Sequence, residues 1–160
     1  MAVNAKPAGY HSLTPCLVVE GAARLIVFLE EVFDAREKER LAAPGNLIGH
    51  AELCIGDSVL MLGDARGPHA PMPAMLYVYV DDVDATYQRA LAAGGTHSAG
   101  PADQFYGDRS GGVKDPCGNM WWIATHIEDV PPDELKRRAR QANGERWRQM
   151  TPSPIGASLR

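Results

Sequence analysis

The sequence predicts an α+β fold in which two βαβββ modules form a cup-shaped, curved mixed sheet with helices outside, followed by a C-terminal helix. Strand and helix periodicities occur in the order strand, helix, strand, strand, strand, and this order occurs twice. A shift of 62 positions also places Val18 on Val80 and the hairpin glycine Gly56 on Gly118. Since each module has one helix, the other face of its sheet needs a further partner, and that face forms the inside of the cup.

The chain of 160 residues divides into six predicted segments. They are a flexible N-terminus (1–9), the first βαβββ module (10–63), a linker rich in Gly and Pro (64–73), the second βαβββ module (74–130), a C-terminal helix (131–150) and a disordered tail (151–160).

In the first module, strands are predicted at 11–19, 36–41, 48–55 and 58–62 and a helix at 21–33. The helix is indicated by apolar side chains that recur at helical spacing, among them Leu25 and Leu29. Alternation along 48–55 places His50 and Glu52 on one face and Leu53 on the other. Because Leu53 suits the helix side, His50 and Glu52 are expected inside the cup.

In the second module, strands are predicted at 75–80, 96–104, 109–114 and 120–126 and a helix at 83–93. Asp81 or Asp82 is the expected N-cap of the helix, and Gly94 and Gly95 are expected to end it. The segment 96–104 has the weakest strand pattern and is also consistent with a loop.

Composition excludes several function classes. The formal net charge of −4 provides no basic field for a nucleic-acid backbone or an anionic membrane. Cys16, Cys54 and Cys117 are far apart and form no CxxC pair, so neither a disulfide framework nor a zinc knuckle is predicted. No apolar run is typical of a signal peptide or a membrane span. We therefore expect a cytoplasmic protein without nucleic-acid or membrane partners.

Four stretches carry a resemblance to a known family: 10–19 (YHSLTPCLVV), 49–62 (GHAELCIGDSVLML), 77–84 (YVYVDDVD) and 103–129 (DQFYGDRSGGVKDPCGNMWWIATHIED). Together with the paired βαβββ order, they resemble the glyoxalase/bleomycin resistance/extradiol dioxygenase superfamily, also called the vicinal oxygen chelate superfamily. The more specific resemblance is to its PhnB-like branch, and the last stretch is the most specific of the four. The resemblance implies a homodimer.

The resemblance also implies where a metal ion would bind, since metal-dependent members use His or Glu on the first and last strands of each module. The matching positions are Thr14, Met75 (or its neighbour Leu76), Leu60 and Trp122. None is His, Asp or Glu, the ligands that such a site requires, so we predict neither a metal ion nor another cofactor. A displaced metal site of His50, Glu52 and His126 stays open as an alternative.

Alternation predicts a cup with an aromatic and apolar lining and a few polar groups, which is typical of a small-molecule site. The predicted ligand-binding residues are Thr14, His50, Glu52, Leu60, Met75, Tyr77, Tyr79, Phe105, Tyr106, Arg109 and Trp122. Phe105 and Tyr106 lie on a Gly-flanked loop that could close over the opening. Arg109 either clamps an anionic group or fixes this loop through a salt bridge.

Three functions fit such a cup. The favoured one is a metal-free protein that binds a small aromatic molecule by stacking, for sequestration or sensing, as bleomycin resistance proteins do. The alternative is a glyoxalase-like lyase or isomerase that uses Glu52 and His50 as acid and base, or a displaced metal site. Apolar surroundings would then raise the pKa of Glu52. A third possibility is a dimer whose cup is filled by its own side chains.

Overall fold

The structure, a computed structural model, describes residues 4–150. Its elements are, in order, β1 (Cys16–Val19), α1 (Ala22–Phe33), β2 (Arg36–Ala43), β3 (Leu47–Ile55), β4 (Ser58–Asp64), β5 (Met75–Tyr79), α2 (Val83–Ala92), β6 (Thr96–Asp103), β7 (Asp108–Lys114), β8 (Met120–His126) and α3 (Pro132–Met150). The predicted α+β class and the repeated βαβββ order are confirmed. The predicted tail at 151–160 lies outside the described residues.

Each module forms its own four-stranded mixed sheet. The strand order is β1-β4-β3-β2 in the first sheet and β5-β8-β7-β6 in the second. In both sheets the first strand of the module lies at an edge and runs parallel to the last strand, while the other pairs are antiparallel. A parallel pair needs a long crossover connection, which the helix and the two intervening strands supply.

Alternation gives each sheet a covered face and an open face. On the covered faces, Leu53 and Leu62 of the first sheet and Trp121 and Ile123 of the second are at most 2% exposed. The two helices contact each other, and Phe33 at the end of α1 meets Trp121 with ring centroids 5.0 Å apart. The covered faces therefore share one continuous core.

The first two helices begin in different ways. α1 follows Gly21, whose φ of 86° is left-handed and which has no side chain to act as a cap. Asp64 at the end of β4 supplies the cap, since its carboxylate accepts hydrogen bonds from the N–H groups of Gly21 at 3.0 Å, Ala22 at 2.9 Å and Ile48 at 2.7 Å. α2 is capped by Asp82, one of the two predicted candidates, which directly precedes the helix and accepts a hydrogen bond from the N–H of Ala85 at 2.9 Å.

The first strand is shorter than predicted, because β1 begins at Cys16 rather than at residue 11. Part of the preceding segment lies against the open face of the first sheet, where the hydroxyl of Tyr10 donates a hydrogen bond to Glu52. Thr14, near the end of the same segment, borders the groove that contains Glu52.

The spacing between the modules is 61 rather than 62 at the parallel strands. Leu17 pairs with Leu62 across β1 and β4 on the covered face, and the equivalent covered pair in the second module is Val78 with Ile123. A change of one residue moves every side chain of a strand to the opposite face. The repeat found in the sequence therefore predicts the order of the elements correctly. It is wrong about which side chains of the parallel strands point to the covered face of the sheet.

The C-terminal helix α3 contacts the preceding chain through Arg138, whose guanidinium donates to Glu128 at 2.7 Å. The same guanidinium donates to Glu134 within α3, also at 2.7 Å. Of the helices within residues 4–150, none combines the length and the apolar character that a membrane crossing requires.

Candidate functional site

The open face of the second sheet carries a group of aromatic side chains. Tyr77 and Tyr79 on the edge strand β5 are 45% and 63% exposed, and their ring centroids lie 5.4 Å apart. Trp122 on β8 lies directly opposite Tyr77 in the parallel register. We call the surface formed by Tyr77, Tyr79 and Trp122 the aromatic face.

Asp108 on β7 fixes the two tyrosines. Its carboxylate, only 5% exposed, accepts hydrogen bonds from the hydroxyl of Tyr79 at 2.9 Å and of Tyr77 at 3.1 Å. Its other oxygen lies 2.8 Å from Nδ1 of His126. Because β8 lies between β5 and β7, both tyrosine side chains cross β8 to reach this carboxylate. The tyrosine hydrogens are thereby committed, which leaves the ring faces and the oxygen lone pairs for a ligand.

The electrostatics of this network follow from the same contacts. Burial alone would raise the pKa of Asp108, but the hydrogen bonds from His126, Tyr79 and Tyr77 outweigh it and hold the pKa below its usual value. The hydrogen bond to Asp108 is the main reason why the pKa of His126 is raised, and the hydrogen bond to Asp129 adds to the effect. The hydrogen bond to Asp108 is also the main reason why the pKa of Tyr79 is raised. A buried carboxylate that stays ionised therefore underlies the aromatic face.

The loop between β6 and β7 borders the aromatic face. The hydroxyl oxygen of Tyr106 lies 3.5 Å from that of Tyr77, and the ring of Phe105 packs edge-on against Tyr106 at 5.3 Å. Gly107 closes the turn with a φ of 98°, in a space where an added Cβ would lie 2.1 Å from the carbonyl oxygen of Glu128. The structure thus brings Phe105 and Tyr106 to the predicted tyrosines.

Arg109 does not lie on the open face. Its guanidinium donates to Asp84 of α2 at 2.6 and 2.8 Å and to Asp103 of β6 at 2.8 Å. Adjacent strand residues point to opposite faces, so Arg109 is turned away from the surface to which Asp108 contributes. The expected position of Arg109 inside the cup is wrong, and the salt-bridge interpretation describes its contacts.

The open face of the first sheet carries a second polar group, which we call the Glu52 cluster: Tyr10, Lys38, His50 and Glu52. The carboxylate of Glu52 is 8% exposed, accepts from the hydroxyl of Tyr10, and lies 3.3 Å from Nζ of Lys38 and 3.4 Å from Nε2 of His50. The Tyr10 hydrogen bond is the main reason why the pKa of Glu52 is lowered. The expected raised pKa is therefore wrong, because donors rather than apolar groups surround the carboxylate.

The residues at the four positions where metal-dependent members of the resembled superfamily bind a metal ion do not suit a metal ion in this chain. The Thr14 hydroxyl donates to a backbone carbonyl at 3.4 Å, Met75 is a thioether that is 75% exposed, and neither Leu60 nor Trp122 offers a ligand atom for such an ion. Within residues 4–150, no group of three or more His, Cys, Asp or Glu side chains is placed to hold a metal ion.

The displaced metal site is not assembled within one chain. His50 and Glu52 lie together on the first sheet, but His126 lies on the second, where its two ring nitrogens contact Asp108 at 2.8 Å and Asp129 at 3.0 Å. His126 is thus part of the network beneath the aromatic face.

Leu60 was expected on the open face, and this facing is wrong. It pairs with Leu53 and is 4% exposed within the shared core, although it also borders a groove of about 370 Å³ that contains Tyr77 and Tyr79. Met61 is the residue of β4 that lies opposite Glu52 on the open face. Leu60 faces the core because the parallel strands of the two modules are 61 residues apart rather than 62, and a shift of one residue turns a strand side chain to the opposite face.

Three residues of these clusters were not predicted as site residues: Asp108, Tyr10 and Lys38. Asp108 had a signal in the sequence, because strand alternation between 108 and 114 gives it the facing of Gly112, the partner of Trp122. To place Asp108 beside Trp122 from this alternation, one must also know which residues of β7 and β8 pair. Tyr10 and Lys38 had no such signal, since one precedes the strands and the other lies on an irregular edge strand.

Two βαβββ modules that share a core and leave two sheet faces open define the class of paired-module α+β proteins. The sequence profile of the Glyoxalase/Bleomycin resistance protein/Dioxygenase superfamily matches residues 10–123, and the chain belongs to this superfamily.

Several known proteins are similar to the chain. An uncharacterized protein of Mycobacterium bovis is 37% identical over 147 residues, which cover 85% of this chain and 94% of the relative. The crystal structure of TioX from Micromonospora sp. ML1 superposes with a TM-score of 0.63 at 27% identity, covering 73% of this chain and 99% of TioX. A PhnB protein from Bacillus cereus, described as a putative 3-demethylubiquinone-9 3-methyltransferase, superposes with a TM-score of 0.59 at 19% identity, covering 72% and 99%. That last similarity shows the fold alone.

Proposed function

We propose that this protein binds a small, flat aromatic molecule at the aromatic face, without a metal ion, and that it sequesters or senses that molecule. The observation that carries the proposal is that Tyr77 and Tyr79 are well exposed and yet held in place by the buried carboxylate of Asp108. Exposed rings that are already immobilised lose little conformational freedom when a ligand stacks on them. Each aromatic pair contributes about 0.5–1.5 kcal/mol beyond burial, so stacking on three rings adds about 1.5–4.5 kcal/mol to what the ligand gains from burying its apolar surface.

The proposal includes a homodimer in which a second copy of the chain completes the cup. Met75 and Leu13 are 75% and 84% exposed, and both accompany the tyrosines in the same part of the molecule. Large exposed apolar groups of this kind mark interaction surfaces. Sedimentation should give a dimer, and Met75→Asp should shift it toward the monomer. A sedimenting monomer at all concentrations would contradict this part of the proposal.

Membership of the PhnB-like branch and a cytoplasmic location complete the proposal. The fold of the Bacillus cereus PhnB protein and the three free thiols, Cys16, Cys54 and Cys117, are in keeping with them.

A fluorescence titration tests the binding function, with 2-naphthylmethanol as a neutral, flat probe. Tyr79→Leu removes one ring and should weaken binding about tenfold, the equivalent of one stacking contact. Val27→Ala, which shortens an apolar side chain that is 51% exposed on α1, is the matched control and should leave the affinity unchanged. Equal affinities for the wild type and Tyr79→Leu, or no saturable binding by the wild type, would refute the proposal.

The alternative function, a lyase or isomerase with Glu52 and His50 as acid and base, has less support. Glu52 is held ionised, and its oxygens are already occupied by Tyr10, Lys38 and His50. A general acid would need the opposite shift in pKa. Turnover that collapses in Glu52→Gln while binding at the aromatic face survives would favour the enzyme. Stoichiometric zinc, nickel, manganese or iron in the purified protein would contradict the metal-independent part of the proposal.

A further inference from the structure

We infer that the Glu52 cluster is a second binding site, specific for a phenol, and that Tyr10 occupies it as an internal substitute until a phenolic ligand displaces it. This site lies on the open face of the first sheet, whereas the aromatic face belongs to the second sheet, and the inference does not depend on the function proposed there.

The contacts of Tyr10 define the ligand chemistry. Its hydroxyl donates to Oε2 of Glu52 and accepts from Nζ of Lys38 at 2.5 Å. The same ammonium lies 3.8 Å from the centroid of the Tyr10 ring, within the range of a cation–π contact. The site therefore recognises a hydroxyl that both donates and accepts a hydrogen bond and that is attached to an aromatic ring. An aryl ether lacks the donor, and an aromatic carboxylate would be repelled by Glu52.

The position of Lys38 is produced by a backbone irregularity. On β2, Glu37 pairs with Leu53 and Glu39 pairs with Glu52, so that Lys38 is an extra residue without a partner on β3. Such a β-bulge redirects a side chain and is over-represented beside active sites. Here it directs the ammonium of Lys38 to both Glu52 and Tyr10. An edge strand needs no such bulge to expose a lysine to solvent.

The carboxylate of Glu52 is a second, independent indication. It is more than nine-tenths buried on a sheet face that faces away from the core, where a buried charge is costly unless it is fully partnered. Its partners Lys38 and His50 come from the sheet itself, and Tyr10 comes from a segment outside it. A ligand phenol that replaced Tyr10 would keep the carboxylate satisfied.

The segment that carries Tyr10 is suited to displacement. Residues 4–15 contain no helix or strand, and several of their hydrogen bonds are local, such as Lys6 Nζ to the Tyr10 carbonyl at 2.5 Å. The phenol hydroxyl supplies the hydrogen bonds from Tyr10 to the sheet. Beside it lies a groove of about 510 Å³ that is bordered by this segment, Glu52 and Met61. A small aromatic ring fits this space.

The experiment uses p-cresol, the side chain of tyrosine as a free molecule, with the full-length protein. Binding of p-cresol to the wild type should accelerate chymotryptic cleavage after Tyr10, because the segment is released. Tyr10→Ala removes the internal competitor and should raise the affinity for p-cresol about tenfold or more. Glu52→Gln and Lys38→Gln should weaken it, whereas Arg40→Gln, which alters a neighbouring basic residue paired with Glu37, should not.

Two results overturn the inference: p-cresol that leaves the cleavage after Tyr10 unchanged or slows it, or a Tyr10→Ala protein that binds p-cresol no better than the wild type. If Tyr10→Ala does not fold, Tyr10→Phe takes its place and should still raise the affinity. 4-Methylanisole, which lacks the hydroxyl donor, should not release the segment that carries Tyr10, and a release equal to that caused by p-cresol would also overturn the inference. Tyr79→Leu should leave the release of the Tyr10 segment by p-cresol unchanged, which separates this site from the aromatic face.

Discussion

Replacing Asp108 with Asn tests the contribution of the buried carboxylate beneath the aromatic face. The amide oxygen of Asn can still accept from Tyr77 and Tyr79, but its nitrogen cannot accept from His126. The charge-assisted hydrogen bond to the half-exposed His126 is lost, and the two hydrogen bonds that the buried carboxylate accepts become neutral and weaken by about 1 kcal/mol each. We expect a loss of about 2 kcal/mol in the free energy of unfolding, or about 4–8 °C in Tm for a chain of this size.

The effect should depend on pH with a defined sign. The folded-state pKa of Asp108 is lowered, so its stabilisation is present above the unfolded value of about 3.9 and is lost as pH falls through the folded value. The pKa of His126 is raised, so its stabilisation is complete below about 6.5 and is lost as pH rises through the folded value. The wild type and Asp108→Asn should therefore differ most between about pH 4 and pH 6.5.

Thermal unfolding followed by near-ultraviolet circular dichroism across this range measures the difference. Near-ultraviolet absorbance should also show Tyr79 ionising at lower pH in the variant, because its raised pKa depends mainly on Asp108. Asp129→Asn is the matched control, since Asp129 contacts the other nitrogen of His126 at 3.0 Å but is fully exposed, and it should have little effect. Equal losses in the two variants, or a loss that does not vary with pH, would refute the reasoning.

Further predictions concern the facing of strand residues, one turn and the acid response. Leu60→Ala should lower the free energy of unfolding by about 2–5 kcal/mol, and Met61→Ala should lower it much less; denaturant titration of both variants decides which residue is in the core. Gly107→Ala should lower Tm, because a Cβ would lie 2.1 Å from a carbonyl oxygen, while Gly100→Ala, with no atom within 4 Å, should not. Glu52→Gln should remove part of the destabilisation seen on acidification, because the lowered pKa of Glu52 makes its stabilisation disappear as pH falls below about 4.3; an unchanged acid midpoint would contradict this.

The order of the elements was predictable because its signals are local. Three examples are the apolar spacing of α1, the Asp82 cap of α2 and the alternation that separates His50 and Glu52 from Leu53. Each of these signals involves residues only a few positions apart in the sequence. Such signals do not depend on how the modules pack.

The facing of Leu60 and the contacts of the site depend on long-range register. The 62-residue match aligned the glycines of the hairpins, but insertions between the strands make the true spacing of the parallel strands odd. Lys38 reaches Glu52 through a bulge, and Arg109 is captured by Asp84 from a helix 25 positions away. Neither pairing leaves a periodic trace in the sequence.

The capping of α1 by Asp64 couples a helix to a strand that is synthesised some forty residues later. Until β4 is in place, the first N–H groups of α1 have no side-chain acceptor, so this helix should gain protection against hydrogen exchange only together with the first sheet. α2 carries its own acceptor and is free of this dependence. The two modules, alike in architecture, should therefore differ in folding: the first assembles as a single cooperative unit, and the second can start from its helix.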